Sequence, residues 1–501
     1  MTLWPPWDTW SEWDSAMNID YHAIAPELIL TGTILLVLLS DAFLPDRRKQ
    51  LTMPIGLIGC VGSLIATLTL IGDDRSTFGG MFVVDPFAVL FKVFFLVAAI
   101  VVLGLSFRYM QEGRYYQGEY YVLLLSAFLG CLVMPSSRDL LMLFISLELV
   151  SAPGFLIAAF RKTDPKSNEA GLKYFLIGVL SSAVMLYGMS LVYGIAGTTR
   201  LDGIAKALSG PAGDQSITLA AIVLVVAGFA FKVSSVPFHF WAPDTYEGAP
   251  IPVAAFLSVP SKAAGFAGLL QLMFVGFAPV ADFWAPIFAV LSILTMTLGN
   301  LVALRQRQMV RLLAYSSVAQ AGYMLLPFAL VTTTNPSLNH DAFAAAVLYI
   351  LVYGVMSLGA FAVVIGLSKE SPGALIDDYT GLVRRAPVLA VAMTTFLISL
   401  GGVPPTAGFW AKFTIFQVSL DRGDIGPWLA GIMVINSVIS LGYYLMVART
   451  MVLTPSDDER RARVPAMVAA VALLGVIVIV AVGIYPDLFA RFPEGATLLG
   501  P

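Results

Sequence analysis

The sequence predicts an all-α membrane protein of about fourteen spanning helices, two of them discontinuous. Charged residues make up only 12% of the 501-residue chain, half the ~25% usual in soluble domains. Mean hydropathy is +0.84. Apolar runs of the ~20 residues that cross a bilayer recur along the chain, bounded by charged or Gly/Pro/Asn-rich connections.

The runs fall at 24–43, 52–72, 86–108, 118–135, 139–160, 169–195, 217–242, 251–276, 283–304, 309–332, 341–368, 386–420, 425–452 and 465–488. The longest connections, 196–216 and 369–385, read as carriers of short surface helices. Lys and Arg number eighteen in the connections after odd-numbered runs and six on the opposite side. Cytoplasmic loops are enriched in these residues, so the asymmetry places both termini on the outer side. The leader lacks the basic and apolar regions of a signal peptide. Its Trp4, Trp7, Trp10 and Trp13, set among Asp8, Glu12 and Asp14, leave two readings open. One is an interfacial tryptophan anchor, the other a segment resting on a neighbouring chain.

The two cysteines, Cys60 and Cys131, lie in apolar runs and form no CxxC pair, which leaves iron–sulfur and zinc sites without support. Neither a GxGxxG turn nor a GxxxxGK[ST] loop occurs, so no nucleotide-binding motif is present.

Five basic residues lie inside or at the edges of the runs: Lys92, Lys173, Lys232, Lys262 and Lys412. A charge at the bilayer centre costs at least ~2.5 kcal/mol and ordinarily faces the bundle interior or a wet cavity. Lys92 and Lys173 are close enough to run ends for their stems to snorkel to the interface. Lys232, Lys262 and Lys412 are too deep for that. Glu148 is the one carboxylate clearly at mid-depth and the natural partner of a buried lysine. Desolvation disfavours an ammonium and a nearby carboxylate favours it, so a buried lysine can gain or lose a proton as its neighbour moves. Arginine stays protonated, and no mid-span arginine occurs, which argues against a voltage sensor.

Two runs are broken. Ser234-Ser235-Val236-Pro237-Phe238-His239-Phe240-Trp241-Ala242 interrupts the seventh, and the stretch from Gly401-Gly402-Val403-Pro404-Pro405 to Phe409-Trp410-Ala411-Lys412 interrupts the twelfth. Both read as a small pair, Val-Pro, an insert, then Phe-Trp-Ala. Proline frees backbone groups that hydrocarbon cannot satisfy, so such breaks line polar cavities. Breaks five runs apart imply inverted repeats, runs 4–8 and 9–13, whose two half-channels open to opposite sides. The division that follows is a leader with three helices (1–117), two repeats (118–276 and 283–452) and a final helix with tail (465–501). His239, just past the first break, is placed to bridge Lys232 and Lys262 through water, or else is a satisfied structural histidine. His22 and His340 near run ends are assigned no role.

Several of these strings resemble a known family. Leu147-Glu148-Leu149, Phe231-Lys232 through Pro237-Phe238-His239, Trp241-Ala242-Pro243-Asp244-Thr245-Tyr246-Glu247-Gly248-Ala249-Pro250 and Pro260-Ser261-Lys262 are similar to the antiporter-like membrane subunits of respiratory complex I. That family also includes Mrp-type cation/proton antiporter and membrane-bound hydrogenase subunits. Ser167 to Phe175, a lysine rather than a glutamate at 412, and the absence of a long lateral helix resemble its N-type branch. One departure stands out: Gln320 occupies a position where many relatives carry histidine, which weakens a relay through that point. The resemblance implies a proton-translocating subunit of an NADH–quinone oxidoreductase in the bacterial plasma membrane. Glu148 and Lys232 would couple, Lys262 would relay centrally and Lys412 would serve the output. It implies no cofactor in this chain, with flavin, iron–sulfur clusters and quinone held by other subunits. Its partners would be M-type and K-type neighbours, the lateral helix of an L-type subunit and lipid, in a hetero-oligomer without nucleic acid. A secondary antiporter or hydrogenase subunit, and a structural scaffold with vestigial charges, are the competing expectations.

Overall fold

A computed structural model of the chain describes residues 19–113, 115, 117–213, 216–456 and 462–487. The tryptophan-rich leader and the C-terminal tail beyond 487 lie outside the described residues.

Among the described residues the regular structure is helical apart from a small hairpin. The spanning elements run α1 (Ala25–Phe43), α2 (Thr52–Leu68), α3 (Pro86–Glu112), α4 (Gln117–Val133), α5 (Leu140–Ala158) and α6 (Pro165–Ala196). A short surface helix, α7 (Leu201–Leu208), follows in the first long connection. Then come α8 (Ser216–Lys232), α9 (Trp241–Gly248), α10 (Ile251–Ser258), α11 (Pro260–Gln271), α12 (Ala281–Ala303), α13 (Met309–Leu325) and α14 (Pro336–Leu367). A four-residue helix α15 (Leu382–Arg385) precedes α16 (Pro387–Gly401), α17 (Ala407–Asp421), α18 (Gly426–Val452) and α19 (Ala466–Ile484). Among the described residues twelve helices are long and apolar enough to cross a membrane. Two shorter apolar helices, α8 and α16, stand where the sequence places its interrupted runs.

Local chemistry sets the helix ends. Asp85, Asp139 and Asp164 each accept a backbone N–H at the start of α3, α5 and α6. Such caps satisfy donors that the first turn leaves free. Proline opens α6, α11, α14 and α16, where its missing N–H costs nothing. At the end of α16, Gly402 adopts φ 86°, a left-handed turn that glycine enters without a Cβ penalty.

Burial sorts the helices. Every residue from Ile251 to Met273 is buried, so α10 and α11 form the axis of the bundle. By contrast α1, α2, α6 and α19 expose leucine, isoleucine and tyrosine side chains along their length. An apolar outer surface around a packed interior is the arrangement that a lipid solvent selects.

The sequence gives no sign of the hairpin β1 (Arg75–Thr77) and β2 (Phe82–Val84), which pair antiparallel between α2 and α3. It lies at the end of the molecule where α4 meets α5 and where α7 begins. Phe82 bridges to Ser137, and Asp139 bridges to Arg200. A second bridge of the same kind, Gln308 to Leu375, ties the α12–α13 connection to the segment after α14 at the opposite end.

Candidate functional site

The three deep lysines all sit inside the bundle. Their side chains are buried, none more than 6% exposed. Each is held by neutral acceptors. Among the described residues none of them makes an ion pair.

Lys232 is the last residue of α8, at the negative end of the helix dipole, which favours a cation. Its Nζ donates to Ser151 Oγ on α5 at 2.8 Å. Its stem lies along α11 at Gly265: a Cβ there would come within 2.9 Å of Lys232 Cγ. Lys262, one turn earlier on α11, donates to the Ser317 carbonyl at 2.8 Å and to the Ser317 hydroxyl. Lys412, on α17, donates to Leu400 and Gly401 oxygens at 3.0 and 3.1 Å. Its ammonium also stands 4.4 Å from the centroid of the Tyr323 ring, a cation–π contact.

The breaks explain how these groups are satisfied. After α8 the Phe231 carbonyl accepts from the Trp241 indole at 3.2 Å, and Val236 N donates to Thr295 Oγ1 at 3.0 Å. The Phe231 carbonyl and the Val236 N–H beside the break are therefore met by protein, as hydrocarbon requires. After α16 the freed carbonyls are those that hold Lys412. The ammonium is thus an integral part of the second break, whereas at the first the indole adds to a carbonyl that Ser234 N–H also meets.

A polar chain leads from the neighbourhood of Lys262 to Lys412. Ser316, beside Ser317, shares a 2.5 Å hydrogen bond with Tyr444 OH. Gln320 Nε2 donates to Tyr444 OH at 3.2 Å and to the Leu400 oxygen at 3.1 Å, the same oxygen that binds Lys412. Tyr349 OH donates to Gln320 Oε1 at 2.5 Å. All are buried. Further polar atoms, Tyr246 OH beside Ser258 and Ser317, and Ser234 Oγ two residues past Lys232 in the chain, are buried without a hydrogen bond of normal geometry. Buried groups of this kind are ordinarily met by ordered water.

The other expected residues are placed differently. Glu148 Oε1 accepts from Ser182 on α6 at 2.5 Å. Glu148 is half-buried and lies one turn before Ser151, the acceptor of Lys232, on α5. His239 bonds to neither Lys232 nor Lys262, and its Nδ1 is buried without a partner. Lys173, 42% exposed at its side chain, pairs with Glu169 at 2.6 Å and Asp244 at 2.8 Å. Arg311 bonds to Asp244 and Glu247 in the same cluster, at the end rich in basic residues.

Lys92 corrects the snorkelling expectation. It is fully buried, ion-paired to Glu27 of α1 at 2.8 Å, with its ammonium over the Phe82 ring. The ion pair to Glu27 and the Phe82 ring hold the ammonium inside the bundle. Arg138, counted in the sequence as an ordinary loop cation, is also buried, and it pairs with Asp85 and bonds to Gln271. Neither arrangement was evident from position along the runs. The available signals were a glutamate in the first turn of a span and an Arg-Asp pair immediately before one. Ser151, Ser316, Ser317 and Tyr444 carry no sequence signal beyond being polar within apolar runs.

Comparisons with known proteins fit this geometry. Residues 137–440 match the family model described as NADH:quinone oxidoreductase/Mrp antiporter, TM. NADH-quinone oxidoreductase subunit N of Trichlorobacter lovleyi is 40% identical, covering 96% of this chain and 98% of that protein. NAD(P)H-quinone oxidoreductase subunit 2 of Synechocystis is 41% identical, covering 88% of this chain and 84% of the other. A chain in the structure of respiratory complex I from Thermus thermophilus superposes with a TM-score of 0.78 at 30% identity, covering 93% of this chain and 98% of that one. A chain of the Mrp complex from Dietzia shares the fold at 20% identity, with a TM-score of 0.82 and coverage of 95% and 97%.

Proposed function

From the premise that this chain belongs to the NADH:quinone oxidoreductase/Mrp antiporter family of membrane proteins, we propose that it is the N-type subunit of an NADH–quinone oxidoreductase and carries protons across the membrane. Quinone reduction in other subunits supplies the energy, and flavin, iron–sulfur clusters and quinone belong to those subunits. The observation that carries the reading is the set of three buried lysines held by hydroxyls and carbonyls instead of carboxylates. A structural ion pair would fix the charge. Neutral acceptors leave each amine free to exchange its proton when a neighbour changes.

In this reading the chain spans the membrane fourteen times, with α8–α9 and α16–α17 as single interrupted spans. Spans 4–8 and 9–13 form two inverted units. Support comes from the matched backbone bridges: Asp139–Arg200 follows the fourth span at one end, and Gln308–Leu375 follows the ninth at the other. The basic-rich end faces the cytoplasm and both termini face outward. Protons enter beside His239 and Lys232, pass to Lys262, and reach Lys412 through Ser316, Tyr444, Gln320 and bound water. Tyr444 and Gln320 are able to hand on a hydrogen bond where an imidazole would titrate, so the path does not require a histidine at 320.

Glu148 serves as the coupling carboxylate. Its partial exposure at mid-span supports a neighbouring subunit against α5 and α6, because a carboxylate left against lipid is costly. M-type and K-type subunits and the lateral helix of an L-type subunit are the partners of the hetero-oligomer.

The test is Lys262→Ala in the assembled complex. Proton pumping and quinone reduction fall together by on the order of tenfold or more, and Lys262→Arg does not restore them because guanidinium holds its proton. Wild-type rates of both in an assembled Lys262→Ala complex refute the relay.

A further inference from the structure

Outside the relay, the molecule holds a second buried charge cluster. Asp85 is fully buried at the N-cap of α3, and Arg138 is 7% exposed. The Arg138 guanidinium pairs with Asp85, donates to Gln271 Oε1 and to the Pro135 oxygen, and leaves its Nε without a partner. The backbone clamps this arginine on both sides. Its N–H donates to Met81 O of the hairpin turn at 2.8 Å, and its own carbonyl accepts from Leu201 N of α7 at 3.0 Å.

Two further facts give the position meaning. Arg138 forms part of the lining of a cavity of about 240 Å³ that opens at the basic-poor end between the hairpin and α7, with Asp74, Arg75, Arg200 and Asp202 at its polar mouth. Gln271, on the other side of the guanidinium, is the last residue of α11, the helix that carries Lys262. The nine residue steps from Lys262 to Gln271 span about 14 Å of helix axis. Along that stretch Gly268 faces Met134 and Phe229, so a proton that passes the guanidinium needs water in this stretch to reach Lys262.

We propose that Arg138, held by Asp85 and Gln271, is a fixed-charge seal that stops protons from the outer cavity reaching Lys262 along α11. This rests on the proton-carrying reading above and adds to it a barrier group. The physical basis is simple. Guanidinium does not give up its proton at any working pH, so it cannot relay. A fixed cation at a constriction raises the electrostatic barrier to another cation, as positive groups do in water-selective pores. Asp85 offsets the desolvation of the arginine, and Gln271 registers the seal to the helix whose lysine it guards.

The experiment uses the intact complex in proteoliposomes. Decay of an imposed pH step is followed without NADH, and quinone reduction is measured separately. Arg138→Gln speeds the decay about tenfold, equivalent to about 1.4 kcal/mol of barrier, with quinone reduction kept. Arg138→Lys, which retains the charge, stays tight. In the double variant Arg138→Gln with Lys262→Ala the added leak closes. Wild-type decay in an assembled Arg138→Gln complex overturns the seal, as does a leak that survives loss of Lys262. If Arg138→Gln does not assemble, Gln271→Glu sets a carboxylate against the guanidinium and gives the same leak, and a tight Gln271→Glu complex is equally fatal. Failure of the relay itself is read separately, from pumping by the single Lys262→Ala variant.

Discussion

An amine buried in a membrane bundle is useful for proton transfer only if its position is fixed and its charge is not. Glycines at the contact points provide the first condition here. At Gly265 an added methyl would press on Lys232 Cγ at 2.9 Å, and at Gly402 on Lys412 Cδ at 2.8 Å. Gly265→Ala therefore pushes Lys232 off Ser151, and displacement of a reacting group by even an ångström is expensive in rate. Quinone-coupled pumping falls on the order of tenfold in that variant while the complex still assembles. Gly194→Ala, where nothing lies within 4 Å, leaves it unchanged. Equal pumping by the two variants, measured in membrane vesicles, would show that the lysine position does not matter. The lysines themselves were legible in the sequence because charge inside an apolar run is conspicuous. Their acceptors were not. Ser151 and Ser317 come from helices distant in sequence, and no periodicity announces which hydroxyl will face which amine. Lys92 was misjudged for a related reason: distance from a helix end says nothing of whether Glu27 stands beside it.

At the scale of elements, the breaks between α8 and α9 and between α16 and α17 were plain in the sequence because proline frees backbone groups that hydrocarbon cannot satisfy. The hairpin was invisible, since two three-residue strands lack the length for an alternating pattern. Yet it is the hairpin, with α7 and the α4–α5 connection, that roofs the Arg138 cluster. Its ties include Arg75 with Asp20 and Asp73, and Arg200 with Asp202. Hydrogen bonds from Arg75 hold the Asp20 carboxyl below its ordinary range, and Arg200 does the same for Asp202. A carboxylate depressed in the folded state contributes stability above its unfolded value and loses it as pH falls through the folded one. The roof therefore keeps its ties at neutral pH and loosens below about pH 4. Amide exchange in residues 75–84 should rise in that range before exchange in α11 does. Because both pairs are partly exposed, the effect is small and weakens with salt. A hairpin that exchanges at the same rate at pH 2 and pH 7 at matched intrinsic rate would remove these pairs from the account.

For the whole molecule, the asymmetry of charge and the asymmetry of structure point the same way. The end with few basic residues carries the hairpin roof and the Arg138 cluster, and the basic-rich end carries the open cluster of Lys173, Asp244, Glu247 and Arg311. A pump needs one face that admits protons freely and one that does not, so the two ends are expected to differ in this manner. Their assignment to the two sides of the membrane can be read directly. Lys206 on α7 and Lys369 after α14 are both exposed, at opposite ends of the bundle. The native thiols Cys60 and Cys131 are both fully buried and give little background. In inside-out vesicles an impermeant maleimide labels Lys369→Cys at once and Lys206→Cys only after the membrane is opened by detergent. In right-side-out vesicles the order reverses. Labelling of Lys206→Cys from the cytoplasmic side would invert the whole assignment, placing the sealed end against the cytoplasm and leaving a charged, open cluster facing the stored gradient, which no outward pump could use.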